Sequence, residues 1–241
     1  MDERSGTVRV DGAELYYEAA GEGRPLVLLH DGLLDRRVWD DHFEAFAQRY
    51  RVVRYDRRGH GLSSVPNRPF SDVDDPRYLL GFLGFERAHL LGMSNGGKVS
   101  LEFALSHPQM TGALVLVGPN LGGYCSSEEK LRRISVISSV AKERGVEPGV
   151  QAWMADPFYP PAIGKVAERE RVRRIMTENL HRLLSTPNLR RGQDPPAIER
   201  LARIVAPTTT LAGERVDPDN LESIRTTWIL SPSWRASYPR E

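Results

Sequence analysis

Short apolar runs separated by segments of helical period restrict this chain more than any other feature of its sequence. Residues 25–30 (PLVLLH) are apolar at almost every position, as in a strand whose sheet is covered by helices on both faces. Runs of the same kind recur at 51–55 (RVVRY), 88–91 (AHLL), 113–117 (ALVLV) and 208–212 (TTTLA), and helical-period segments at 39–49, 77–82 and 99–105 separate the first four. Strand alternating with helix in this order predicts an α/β fold with a doubly wound, mostly parallel sheet. Ahead of it, residues 7–19 alternate around Asp11-Gly12, a dipeptide that accepts the positive φ of a tight turn, so an antiparallel hairpin is expected there.

The alternation stops after Val117 and resumes near Pro207. The interval holds arginine-rich helical segments (EEKLRRISVISSVAKER and KVAERERVRRIMTENLHRLL) around the break DPFYPP, and reads as a helical insertion, a cap over a pocket at the carboxyl edge of the sheet. The expected division is a first core part at 1–121, a cap at 122–203 and a last core part at 204–241. In the arginine runs Glu168, Glu170 and Glu178 alternate with the basic residues, the pattern of a solvated helix face. With 33 Lys+Arg against 32 Asp+Glu, the net charge of +1 provides no field for a polyanion, and a nucleic-acid partner is not expected. No apolar stretch approaches the roughly 20 residues that cross a bilayer, and one cysteine, Cys125, forms no intrachain disulfide. A cytoplasmic protein without membrane association is expected. Cys125 is expected to be a buried or partly buried bystander.

The chemistry concentrates in HLLGMSNGGKVSLEFAL, where Gly92-Met93-Ser94-Asn95-Gly96 (G-x-S-x-G) lies between a strand and a helix. A turn this tight strains the serine backbone and leaves room only for small residues beside it, so the hydroxyl is presented at the sheet edge as a nucleophile elbow. At the amino end of a helix, the amide of Asn95 is placed to stabilise a developing oxyanion. The sequence contains no spaced ligand cluster for a metal and no glycine-rich phosphate loop after a strand, so no cofactor is expected.

These motifs, with LVLLHDGLLDRRVWD and VVRYDRRGHGLSS ahead of the elbow and ALVLVGP after it, resemble the α/β-hydrolase superfamily, nearest its cofactor-free esterases and enol-lactonases, from about residue 7 to 222. The resemblance implies an eight-stranded sheet with a cap, and a serine, acid, histidine triad in that chain order. It makes His30 an orienter of the oxyanion loop rather than a base, and it offers the amide of Gly32 or Leu33 as second oxyanion donor. Asp56, Arg57 and His60 read as a loop held by local hydrogen bonds. The triad acid is expected just past TTTLAG. There Gly213-Glu214-Arg215 is followed by Val216, so Asp217, one residue late, is the candidate and Asp219 the second; a capping role at the helix beginning near Pro218 competes for both.

The carboxyl-terminal segment departs from the family pattern. It reads IRTTWILSPSWRASYPRE, without an evident last strand, and no histidine follows His181. The six histidines (30, 42, 60, 89, 107 and 181) all precede the acid position, so the usual triad is incomplete, with His181 or His60 as conceivable substitutes for the base. An incomplete carboxyl-terminal end is therefore expected, with the strand at 208–212 exposed as an edge that the tail folds over or that a second chain pairs with. Three functions compete. The chain is a serine hydrolase of small carboxylic esters or lactones, acting through an acyl-enzyme; or an inactive relative that binds a ligand or partner; or a truncated product without a role. Trp153, Phe158 and Tyr159 are the expected apolar pocket lining.

Overall fold

The computed structural model describes residues 4–158, 166–186, 188–213, 216–230 and 234–236. β1 (Arg4–Val10) and β2 (Ala13–Ala20) form the expected hairpin, with Gly12 at φ +75° in its turn. β3 (Arg24–Leu29), β4 (Tyr50–Tyr55), β5 (Ala88–Met93), β6 (Thr111–Val117), β7 (Thr208–Leu211) and β8 (Trp234–Ala236) complete an eight-stranded sheet in the order β1-β2-β4-β3-β5-β6-β7-β8. β2 runs antiparallel to β1 and β4, and every later pairing is parallel. The order reverses between β3 and β5. Ligands gather at such a point, in the crevice outside the carboxyl ends of the strands.

The crossovers are α1 (Asp40–Ala47), α2 (Asp75–Phe82) and α3 (Asn95–Ser106). Side chains from both faces of the central strands are buried, which explains why those strands read as unbroken apolar runs. Val27 and Leu29 join one cluster with Leu90, Phe103 and Leu116, while Leu26 and Leu28 join a second with Trp39 and Phe43.

Between β6 and β7 the chain forms α4 (Glu128–Arg144), α5 (Val146–Ala155) and α6 (Val166–Leu184). The sequence reading located α4 and α6 but not α5, whose Pro148 and Gly149 weaken its helical signal; Gly149 is needed because a Cβ there would strike Ala141 of α4. The three helices pack on the loop after β3 through Leu34 of that loop, Ala141 of α4, Val150 and Met154 of α5, and Ile175 and Met176 of α6. Polar ties reinforce that contact: buried Asn179 of α6 accepts from the Gly61 amide at 2.8 Å and donates to Asp35 at 3.0 Å. No helix among the described residues is long and apolar enough to cross a membrane.

Two expectations are corrected. The tail does contribute a strand: α7 (Pro218–Leu230) is followed by β8, which pairs in parallel with β7 through Thr208–Trp234, Thr209–Arg235 and Thr210–Ala236. Three residues beside prolines are too short for a readable alternation, so the strand was invisible in the sequence, and β7 is not the sheet edge. Cys125 is exposed, because it falls in the loop between β6 and α4.

Candidate active site

Ser94 stands between β5 and α3 with φ +51° and ψ −113°. It is the only non-glycine residue at positive φ among the described residues. Such a conformation costs on the order of 1–3 kcal/mol and persists only where neighbours over-determine it. Here the Ser94 amide donates to the Val117 carbonyl at 2.9 Å, and its carbonyl accepts from the amides of Lys98 at 3.0 Å and Asn120 at 3.1 Å. A Cβ on Gly92 would strike the Gly96 carbonyl oxygen, and one on Gly96 would strike the backbone oxygens of Leu29 and His30. Backbone yields less readily than a side chain, so Gly96→Ala is expected to displace the elbow and destabilise the fold by about 1–3 kcal/mol. Urea unfolding measures this, and an unchanged midpoint would show that the strand end gives way freely.

The loop after β3 packs against this elbow: a Cβ on Gly32 would meet the Asn95 side-chain nitrogen. Gly32, Leu33, Ser94 and Asn95 line one cavity of about 310 Å³. The two proposed second donors in that loop are not equivalent. The Leu33 amide is engaged, because Asp31 Oδ1 accepts from both Leu33 and Leu34 at 2.7 Å. The amides of Gly32 and Asn95 are left as candidate oxyanion donors, the latter at the positive end of α3.

Two buried histidines brace the loop from the protein interior. His30 Nε2 accepts from the Arg57 amide at 2.9 Å, which assigns its proton to Nδ1, donating to the Asp31 carbonyl at 2.8 Å. His60 has Nε2 3.0 Å from the Gly32 carbonyl and Nδ1 3.0 Å from the Arg58 carbonyl. Burial, with His60 and Arg57 adding to it, holds His30 well below the ordinary histidine range, and burial together with Arg57 brings His60 down to about 4. Around them Asp56 accepts from the amides of Arg36 and Leu62 at 2.9 and 2.7 Å, and Arg57 donates to Asp72 at 2.5 Å. These are the hydrogen bonds of a fixed loop.

Residues 26–238 match the alpha/beta hydrolase family. The chain belongs to that family. A 2-hydroxy-6-oxo-6-phenylhexa-2,4-dienoate hydrolase of Comamonas testosteroni is 33% identical over 121 residues, 47% of this chain and 42% of that protein, so the matched stretch spans less than half of this relative. The esterase RhEst1 from Rhodococcus sp. ECU1013 has a similar structure, with a TM-score of 0.80 at 25% identity over 99% of this chain and 90% of that one. A hydrolase from Pseudomonas aeruginosa PA01 aligns with a TM-score of 0.74, also at 25% identity, over 98% of this chain and 90% of that one.

In this alpha/beta hydrolase the two aspartates expected as candidates for the triad acid, Asp217 and Asp219, are each engaged by other partners. Asp217 lines the cavity, but its Oδ2 accepts from Arg133 of α4, Lys130 Nζ lies 3.6 Å from its Oδ1, and the same Oδ1 caps α7 by accepting from the Asp219 amide at 2.9 Å. Asp219 is buried away from the cavity, accepting from the Ser127 amide at 2.8 Å. Among the described residues no histidine lines the cavity. His60 is buried on the Gly32 carbonyl and His181 is exposed on α6, so neither substitute for the base stands there. Trp153 and Phe158 do line it, whereas Tyr159 and the Glu214-Arg215 turn lie outside the described residues.

Several cavity residues escaped the sequence reading. Asn120 donates through Nδ2 to Asn95 Oδ1 at 2.9 Å and to Ser94 Oγ at 3.4 Å. Its signal was available, since it follows the glycine-proline turn ending the strand beside β5. Arg133 and Asp156, joined at 3.0 Å, carried no such signal, because only tertiary packing brings α4 and the end of α5 together over Ser94.

Proposed function

We propose that this alpha/beta hydrolase acts on small carboxylic esters or lactones through an acyl-enzyme formed on Ser94. The observation that carries this reading is the strained Ser94, held at a strand-to-helix turn with its neighbours lining a cavity of about 310 Å³. Ser94 Oγ attacks the acyl carbonyl, the tetrahedral oxyanion faces the amides of Asn95 and Gly32, and collapse expels the alcohol. Helices α4 to α6 act as the cap, and Trp153 and Phe158 favour a short apolar acyl group.

The proton from Ser94 is the weak point of the cycle. A neutral hydroxyl is a poor nucleophile unless a base within hydrogen-bond reach takes its proton, and the cavity described above holds no imidazole. Esters with good leaving groups therefore acylate Ser94 slowly, the proton passes to solvent, and deacylation is slower still. Enzymes stripped of one triad member retain about 10³- to 10⁴-fold acceleration over water through the oxyanion hole and binding, and activity of that order is expected here. The test is p-nitrophenyl acetate in excess, followed by p-nitrophenol release and intact mass. An acetyl adduct in the wild type that Ser94→Ala abolishes supports the reading; equal release by both proteins, without an adduct, overturns it.

A binding-only role has one observation in its favour, the Asp217–Arg133 pair at the position where an acid would orient an imidazole. It predicts that short carboxylic acids or esters bind without any Ser94 adduct.

A further inference from the structure

The loop beside the elbow contains a carboxylate that the proposed cycle does not use. Asp31 is 5% exposed and is held from two sides. Its Oδ1 accepts from the amides of Leu33 and Leu34 at 2.7 Å, and its carbonyl accepts from His30 Nδ1 at 2.8 Å and from Arg57 Nη1 at 3.0 Å. The guanidinium of Arg57 thus reaches the Asp31 backbone, while its Nη2 is bonded to Asp72. Among the described residues no side chain forms an ion pair with the Asp31 carboxylate; burial pushes its carboxyl above the ordinary range, while the two amides converging on one oxygen and the nearby charge of Arg57 favour the ionised form.

An oxyanion site works by aiming fixed N–H dipoles at the oxygen that gains charge, in surroundings where water does not screen them. Asp31 works against such a site in two ways, because it occupies an amide of the cavity-lining loop and, when ionised, places negative charge in that same loop where water does not screen it. We infer that Asp31 is a positioning residue that restrains the oxyanion site, withholding the Leu33 amide from the substrate and opposing the developing charge. Loss of the carboxylate then speeds acylation of Ser94. The inference rests on the Ser94 acyl-enzyme reading. A carboxylate that merely caps a turn would predict the opposite sign, since its removal would loosen the loop and slow the reaction.

Two substitutions separate charge from hydrogen bonding. Asp31→Asn keeps an oxygen acceptor for the Leu33 amide but removes the charge; Asp31→Ala removes both. The readouts are the burst rate constant and its ester half-saturation with p-nitrophenyl acetate, and amide hydrogen exchange at Leu33 by NMR. Asp31→Asn is expected to acylate about tenfold faster with half-saturation unchanged, the size of a like-charge effect in a partly screened site, and to keep Leu33 protected. Asp31→Ala is expected to gain about 10²-fold, the scale of one oxyanion donor, with Leu33 exchange accelerated. Both variants acylating at or below the wild-type rate, with circular dichroism intact, would overturn the inference. So would a wild-type Leu33 amide that exchanges like an unprotected loop amide, a result that needs no variant to fold. If Ser94→Ala acylates as the wild type does, the acyl-enzyme reading falls and takes this one with it; if only the Asp31 variants fail to accelerate, the acyl-enzyme reading stands.

Discussion

Replacing Asp72 with asparagine is expected to lower folding stability by about 3–5 kcal/mol, the cost of leaving a buried charge without its partner. Asp72 Oδ2 accepts from Arg57 Nη2 at 2.5 Å and lies 2.9 Å from Arg190 Nε, and the side chain of Arg57 is 2% exposed. Although burial opposes ionisation, the two guanidiniums win, and the Asp72 carboxyl is brought down to about 2. The asparagine keeps the shape and one acceptor, so what is lost is the charge. Arg190 has a partly exposed side chain and can turn to solvent; Arg57 has no such exit, and its Nε already lacks a hydrogen-bond partner. A second substitution, Arg57→Met, is expected to recover part of the loss, because removing both members of a buried pair costs less than removing one. Urea unfolding of the two single variants and the double closes the cycle. Strictly additive losses would show that Asp72 and Arg57 are not energetically coupled.

The parallel core was legible because burial on both faces of β3 to β6 writes itself as unbroken apolar runs, and the elbow because only glycine fits against the backbone at 92 and 96. β8 was not legible: its pairing with β7 draws on a sheet that already exists, and three residues carry no period of their own. The same distinction divides the site. Ser94 and Asn95 were singled out by the local turn motif, and Gly32 and Leu33 only by the resemblance to the family. The occupation of the Leu33 amide by Asp31 depends on a side-chain rotamer, and the pairing of Asp217 with Arg133 depends on how α4 lies over α7. Neither leaves a mark in residue spacing. His30 and His60 are intermediate: their strand-end positions identified them as loop residues, but only the structure shows one loop bracing another, with ring centroids 5.0 Å apart.

The stability difference between the wild type and a His60→Gln variant is expected to shrink by about 3 kcal/mol as the pH falls from 7 to 4. Each ring nitrogen of His60 faces a carbonyl oxygen at 3.0 Å, an arrangement that a doubly protonated imidazole would satisfy fully. Burial and the nearby Arg57 outweigh those two acceptors and bring the group down to about 4, so it is neutral when folded at pH 7. In the unfolded chain a histidine titrates near about 6.5. Between these values the unfolded state binds a proton that the folded state refuses, so His60 contributes stability above the unfolded pKa that is lost as the pH falls toward 4. About 2.5 units at roughly 1.4 kcal/mol per unit gives the stated size. His30 acts in the same direction, whereas Asp75, raised to about 6 by burial against the pull of Arg58, acts in the opposite one and stabilises the fold in that window. The wild-type pH profile therefore mixes signs, and the difference from His60→Gln isolates the one group. Glutamine keeps an N–H for the Gly32 carbonyl but has no proton to bind, so the variant is weaker than the wild type at pH 7 and approaches it at pH 4. Urea midpoints at half-unit steps supply the measurement. A difference that stays constant across that range would mean that His60 binds its proton equally well folded and unfolded.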